Sequence, residues 1–432
     1  MSDKAVILGS GMTGIAAGIA SRAPVYESNE SPGGICSSYY VRSGEKNRHI
    51  QQPDDQEAYR FEIGGGHWIF GGDNRVLNLI NRFVKSNQYA RRSSVYFRKT
   101  DLYVPYPLQN HLRYLGSKIA KQALAEMTEQ KGPCGTMKEW LNQCFGATLC
   151  DLFFFPFHEL YTAGLYNHIA PQDAYKSPVD LKLVKKGVSE SVSQVGYNVS
   201  FLYPDKGLNF LAQRMASGCD VHYNKEVVKI DVHNKIIHFN DTTSKVYDIL
   251  FSTIPLNKVA EMSGIKVKAK PDPYTSVLVL NIGAVRGNRC PDDHWLYIPD
   301  SNSGFHRVGF YSNVDRSFLP ASVRNAGNRV GMYVERAFPQ DQKHSPKEVS
   351  AYTNSVLTEL QDLDFIGDPE VVDNTWVDIA YTWSWPGSNW RELAIEKLKR
   401  HNIHQIGRYG AWTFQGIADS IRDGLRTGAA IT

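Results

Sequence analysis

Val6-Ile7-Leu8-Gly9-Ser10-Gly11-Met12-Thr13-Gly14, followed by Val25-Tyr26-Glu27, is the stretch that decides the fold. A short apolar strand from Ala5 to Leu8 enters a Gly-x-Gly-x-x-Gly turn, and a helix of small residues (Ile15 to Ser21) leaves it. A second apolar strand then ends in an acid. Gly9 permits the tight turn, Gly11 lets a pyrophosphate approach the backbone, and Gly14 brings helix and strand together. Met12 and Thr13 open the helix, where unpaired N–H groups and a partial positive charge favour phosphate. Glu27 stands 18 residues after Gly9, close to the spacing at which a carboxylate accepts the hydroxyls of a ribose. The pattern predicts a dinucleotide site.

The acid narrows the choice of dinucleotide. A 2′-phosphate would be repelled by Glu27, which disfavours NADP and leaves FAD and NAD. Beyond it runs Glu30-Ser31-Pro32-Gly33-Gly34-Ile35-Cys36-Ser37-Ser38. The second glycine pair, with Gly34, implies another close backbone approach to a long cofactor, which suits FAD better.

The chain has 432 residues, enough for two or three domains. Its hydrophobic content of 42% and charged content of 21% are those of a globular protein, and a net charge of +4 argues against general nucleic-acid binding. The six cysteines form no C-x-x-C pair and no cluster with histidine at metal-ligand spacing, so no metal site is expected. No stretch reads as a signal peptide or a membrane span, and the expected location is the cytoplasm.

The rest of the chain reads as alternating layers. Gly44 to Glu57 is polar and predicts an exposed loop or hairpin. Arg60-Phe61-Glu62-Ile63-Gly64-Gly65-Gly66-His67-Trp68 follows, and its three successive glycines imply that backbone passes very close to something bulky and flat. Residues 74–88 have helical periodicity, 94–104 alternate as strands, and 108–170 read as mostly helical. Short strands return over 219–254, longer ones over 275–336 and 370–381, and one more from Ile403, before a helix from about Ile417. The expected class is therefore α/β: a discontinuous Rossmann-like FAD-binding domain (1–73, 204–256 and 399–432), an inserted helical domain (108–197), and an antiparallel-sheet substrate domain (74–107 and 257–398).

Several segments occur in a telling order: Glu27 to Gly34, Gly65-Gly66-His67-Trp68-Ile69-Phe70, Val104-Pro105-Tyr106-Pro107-Leu108-Gln109-Asn110, Tyr197-Asn198-Val199-Ser200-Phe201, Trp295-Leu296-Tyr297-Ile298-Pro299-Asp300, Phe305-His306-Arg307 and Gly407-Arg408-Tyr409-Gly410-Ala411-Trp412. This series resembles the UDP-galactopyranose mutase family, nearer its eukaryotic-type branch, within the wider amine oxidase and protoporphyrinogen oxidase relatives. The resemblance implies a redox-neutral interconversion of the pyranose and furanose forms of a nucleotide sugar such as UDP-galactose. It also implies reduced FAD as cofactor, bonding through flavin N5 to the sugar.

The resemblance assigns roles as well. Gly11, Gly14, Glu27, Ser38 and Arg408 would contact FAD, with Val227 beside the adenine. The Gly65-Gly66-His67 backbone would lie against the isoalloxazine, and the last helix, opening at Ile417, would point its positive end at the cofactor. Tyr106 and Gln109 would hold the nucleobase, and Asn198 and Trp295 would flank the sugar. Arg307 would clamp the pyrophosphate, with Tyr297 and Tyr381 as phenolic donors. His67 and Arg307 are the catalytic candidates. Three positions depart from the family pattern: Val314 and Phe414 stand where tyrosines are expected, and Lys176 where a second arginine is expected. A true flavin oxidoreductase of the amine oxidase type is the competing reading, and a flavin-binding protein without catalysis a third.

Overall fold

The computed structural model describes residues 5–127, 132–172, 180–193, 198–342 and 344–430. Its centre is a five-stranded parallel sheet ordered Val221–His222, Val25–Tyr26, Ala5–Leu8, Ile249–Ser252, Ile403–Gln405. The start, middle and end of the chain thus build one sheet. Its first strand is buried over its whole length, as a parallel strand covered on both faces must be. Helices Met12–Ser21 and Ile417–Ala429 pack together on one face. Their contact is close because Gly424 lies against the first helix, where an added Cβ would come within 2.1 Å of the Thr13 carbonyl oxygen. A three-stranded meander (Val227–Asp231, Ile236–Phe239, Ser244–Val246) precedes the return to the parallel sheet.

The second large sheet has seven strands, ordered Ile366–Thr382, Tyr274–Arg286, Arg329–Pro339, Arg307–Phe310, Trp295–Tyr297, Ser93–Phe97, Leu102–Pro105. The sheet was expected to be antiparallel, and its junctions are, except that Trp295–Tyr297 runs parallel to Ser93–Phe97. Along Arg329–Pro339 the side chains alternate between two cores: Tyr333 and Ala337 face the cofactor side, while Met332, Val334 and Phe338 face the other. Helix Pro346–Asp362 covers that far face, opened by a Ser345/Glu348 capping box.

Residues 74–88 form a shorter helix than their periodicity predicts. Asn74–Phe83 is helical, started by the Asp73 carboxylate accepting from the Arg75 and Val76 amides. Ser86–Ala90 is instead a strand paired with Ser200–Pro204, a non-local partner that local periodicity does not reveal. The expected helical region also breaks up. Helix Met137–Leu149 is interrupted at Gly146 (φ 73°), and Cys150–Phe154 widens into a π-turn before Phe155–Tyr161. That turn swings Phe157 and Tyr161 toward the strands carrying Tyr297 and Tyr381. Among the described residues no helix is long and apolar enough to cross a membrane.

Candidate functional site

A cavity of about 670 Å³ runs along the junction of the two large sheets, within the roughly 300–1,000 Å³ of ordinary ligand sites. One end is the glycine turn. Gly9 adopts φ 92° there, and Gly9, Gly11, Met12, Thr13, Glu27 and Gly34 line the wall. Gly11 is open: a Cβ placed on it would meet nothing within 4 Å. Gly14 lies behind the wall, where a Cβ would come within 1.9 Å of the Gly9 carbonyl oxygen, so it sets helix–strand packing. Glu27 is held as a fixed acceptor. One carboxylate oxygen takes the Ser10 amide (2.7 Å) and hydroxyl (2.9 Å), and the other takes the Asn29 amide at 3.0 Å.

The other end is the triple-glycine loop. Gly64, Gly66 and His67 line the cavity, yet the bulk that demands these glycines belongs to the protein. A Cβ on Gly65 would sit 2.5 Å from a Glu335 oxygen, and one on Gly66 would sit 2.0 Å from the Tyr333 hydroxyl. The loop is pressed onto strand Arg329–Pro339. Burial, with Arg408 second, lowers the His67 pKa to about 4, so its imidazole is neutral at pH 7.

Two cations stand here. Arg307 donates through Nε (3.0 Å) and Nη2 (2.6 Å) to Glu335, and His306 Nε2 lies 3.6 Å from the same carboxylate. Although burial opposes it, Arg307 holds the Glu335 carboxyl down at about 2. The phenols of Tyr333, Tyr381 and Tyr297 surround the guanidinium. Arg408 has a different setting. It donates to the carbonyls of Gln415 (3.2 Å) and Ala380 (3.0 Å) and packs on Phe414 at 4.7 Å, with no carboxylate partner among the described residues. Helix Ile417–Ala429 opens directly onto the cavity through Gly416, Ile417 and Ser420.

These features fit FAD: an open glycine turn with a helix N-terminus for pyrophosphate, a pinned carboxylate for ribose, and an uncompensated guanidinium with a second helix N-terminus at the far end. The six cysteines are free, and among the described residues no cluster could hold a metal ion.

The sequence candidates fall into three groups. Gly9, Gly11, Met12, Thr13, Glu27, Gly34, Gly66, His67, Arg307, Tyr381, Arg408 and Ile417 line one cavity. Ser38 and Val227 do not line it. The Ser38 hydroxyl donates to Glu62 at 2.7 Å and accepts from the Leu208 amide, while Val227 packs in the core behind Tyr26. Tyr106, Gln109, Asn198, Trp295 and Tyr297, expected at the substrate, do not line it either. The Tyr106 and Tyr297 rings are 4.8 Å apart, Asn198 accepts from Arg91, and Trp295 is buried near Phe70 and Phe201. Gln109 is 2% exposed. Lys176 is outside the described residues. Val314 is buried in the core on a short turn and does not line the cavity, whereas Phe414 does.

The residue-level reading missed Glu335, Tyr333 and Arg91. A signal for Glu335 was available: strand alternation puts it on one face with Tyr333 and Ala337, and a carboxylate buried on such a face needs a cation. Arg91 was hidden in an Arg-Arg pair that resembles exposed surface; its guanidinium also donates to the Tyr106 carbonyl at 3.0 Å.

Fold and site together define a flavoprotein of the two-sheet α/β class. The chain belongs to the flavin containing amine oxidoreductase family, whose model matches residues 16–432. Its fold is shared by solved structures of several activities. A reduced UDP-galactopyranose mutase superposes with a TM-score of 0.82 at 22% identity, covering 98% of this chain and 94% of that one. A putative protoporphyrinogen oxidase from Exiguobacterium sp. 255-15 gives 0.69 at 14% identity, covering 100% and 99%. Putrescine oxidase bound to putrescine gives 0.58 at 15%, covering 99% and 98%.

Proposed function

We propose that this protein is a flavin-dependent, redox-neutral nucleotide-sugar mutase that interconverts pyranose and furanose forms, with UDP-galactose or a related nucleotide sugar as substrate. The observation that supports this most is the grouping of Arg307, Tyr381 and the Gly66-His67 backbone at one end of the cofactor cavity, with Tyr297 against the same guanidinium. Glu335 engages Nε and Nη2 of Arg307 and leaves Nη1 for a ligand. A pyrophosphate leaving the anomeric carbon would be held there by a charge-assisted hydrogen bond and phenolic donors, close enough to return. Reduced FAD, when bound, supplies the nucleophile at N5. The protein's part is to orient the sugar against it and to retain the leaving group.

Tyr106 and Gln109 would hold the nucleobase beside Tyr297, and Asn198 and Trp295 would flank the sugar. Arg91 ties this subsite together by bonding both the Asn198 side chain and the Tyr106 backbone. Neutral His67 adds no charge to compete with Arg307 for the phosphates.

The second reading, a flavin oxidase, draws support from the Glu335 carboxylate, which neutralises Arg307, and from Phe414 in place of a phenol. Incubation with dithionite-reduced FAD and UDP-galactose, followed by chromatography of the products, separates the two. Conversion without net oxidation supports the mutase; turnover only with oxygen uptake supports the oxidase.

A further inference from the structure

Residues 106–125 and 181–189 hold Arg113, Lys118, Lys121, Lys182, Lys185 and Lys186 and no acid, six positive charges against a net +4 for the whole chain. The fold brings the two segments together. Helix Leu181–Gly187 packs against the turns Leu108–Asn110 and Leu112–Leu115, and helix Ser117–Glu126 follows the second turn directly. The approach is close, since a Cβ on Gly187 would come within 2.1 Å of the Asn110 carbonyl oxygen. Leu112, Leu115, Ala120, Ala123 and Val184 from these elements all join one apolar core. The six cations lie on the other side of the same elements, and all six are exposed.

Two observations separate this surface from an ordinary solvated face. Its charge is not neutralised locally: of the six, only Lys186 has a carboxylate within 4.0 Å among the described residues, Glu190 at 3.8 Å. The flanking acids are committed elsewhere. Asp180 accepts from the Lys182 and Leu183 amides as a helix cap, and Glu126 accepts from the Thr148 amide and hydroxyl. The cations are also interleaved with apolar bulk. Five large apolar side chains are exposed among the described residues, and the two bulkiest, Tyr114 at 38% and Ile119 at 36%, are both here. Arg113 lies over the Tyr114 ring at 5.1 Å. We propose that this face docks the protein on an anionic lipid surface, with Arg113 and the five lysines among the headgroups and Tyr114 and Ile119 dipping into the interface. A nucleic acid would use the charges but leave Ile119 in water. None of these residues lines the cofactor cavity, so the docking face is separate from the candidate active site.

The test is co-sedimentation of the FAD-loaded protein with phosphatidylcholine vesicles, with and without about 30 mol% phosphatidylserine. Binding is expected only with phosphatidylserine present, and it should be lost in about 0.5 M NaCl. Two double variants, Lys118→Glu with Lys121→Glu and Lys182→Glu with Lys185→Glu, should each weaken it at least tenfold. Tyr114→Ser leaves the charge alone and should weaken it at least threefold. Lys266→Glu with Lys268→Glu makes the same change in net charge at exposed positions elsewhere and should leave binding as in wild type. Retained flavin absorbance in every variant keeps a folding defect from passing as lost docking. Absence of binding to the phosphatidylserine vesicles, or equal weakening in the Lys266/Lys268 control, would overturn the proposal. So would an unchanged affinity in Tyr114→Ser, or tighter binding of a single-stranded RNA oligonucleotide than of the vesicles at the same salt.

Discussion

Glu335 and Arg307 face one another on adjacent antiparallel strands, the carboxylate accepting from Nε at 3.0 Å and Nη2 at 2.6 Å, and Glu335 also underlies Gly65 of the cofactor loop. One buried ion pair therefore joins the candidate phosphate clamp to the triple-glycine loop that shapes one end of the cavity. Breaking such a pair from one side leaves an uncompensated buried charge, at a cost of about 3–5 kcal/mol. Glu335→Gln should lower Tm at pH 7 accordingly. The wild-type contribution is fully present above the unfolded carboxyl pKa near 4.5. It is lost as pH falls from there through about 2, so the Tm gap between wild type and variant should close on acidification. Equal Tm values at pH 7 would show that the pair contributes nothing.

The clamp itself is tested by geometry at constant charge. Arg307→Lys keeps the cation but cannot engage Glu335 through two nitrogens and still present a third to phosphate. It should reduce kcat/KM for the nucleotide sugar at least tenfold while flavin absorbance stays as in wild type. Unchanged kinetics would move the pyrophosphate elsewhere.

Two glycines make opposite predictions. Gly11 has space for a Cβ and φ of −66°, so Gly11→Ala should leave apoprotein stability within about 0.5 kcal/mol and weaken FAD binding at least tenfold. Gly66→Ala would drive a methyl group to 2.0 Å from the Tyr333 hydroxyl, so it should lower apoprotein Tm outright. Thermal melts with and without FAD distinguish ligand space from protein space at the two ends of one cavity.

Glu62, just before the glycine loop, is buried between Tyr203 and Ser38, and burial raises its carboxyl pKa to about 7. Between about 4.5 and 7 the folded protein binds a proton that the unfolded chain has released, so stability should fall as pH rises through that window. Glu62→Gln should flatten the Tm–pH profile between pH 5 and pH 7.5 (on the order of one to three kcal/mol of wild-type change). A profile of equal slope in the variant would place the titration on another group.

Much of the candidate cavity's glycine-turn end was legible because local chemistry dictates it. A glycine turn between a strand and a helix, and an acid closing the next strand, act within 30 residues and need no tertiary information. The parallel sheet built from residues 5–8, 249–252 and 403–405 was legible for a related reason, since buried parallel strands show as short apolar runs. What escaped reading depended on non-local partners. The strand at Ser86–Ala90 exists because Ser200–Pro204 lies beside it, and Ser38 turns from the cavity because Glu62 and the Leu208 amide claim its hydroxyl. The triple glycine was legible as a close approach, but only the structure shows that Tyr333 and Glu335 make that approach from within the protein.

The cavity beside Arg307 is proposed to turn over a nucleotide sugar without net redox change. The direct measurement is product analysis of UDP-galactose incubated anaerobically with the FAD-loaded, dithionite-reduced protein. A new furanose nucleotide is expected at equilibrium, with the flavin still reduced at the end and no activity in the oxidised enzyme. Unchanged UDP-galactose under those conditions, together with amine- or alcohol-dependent oxygen uptake by the oxidised enzyme, would contradict it.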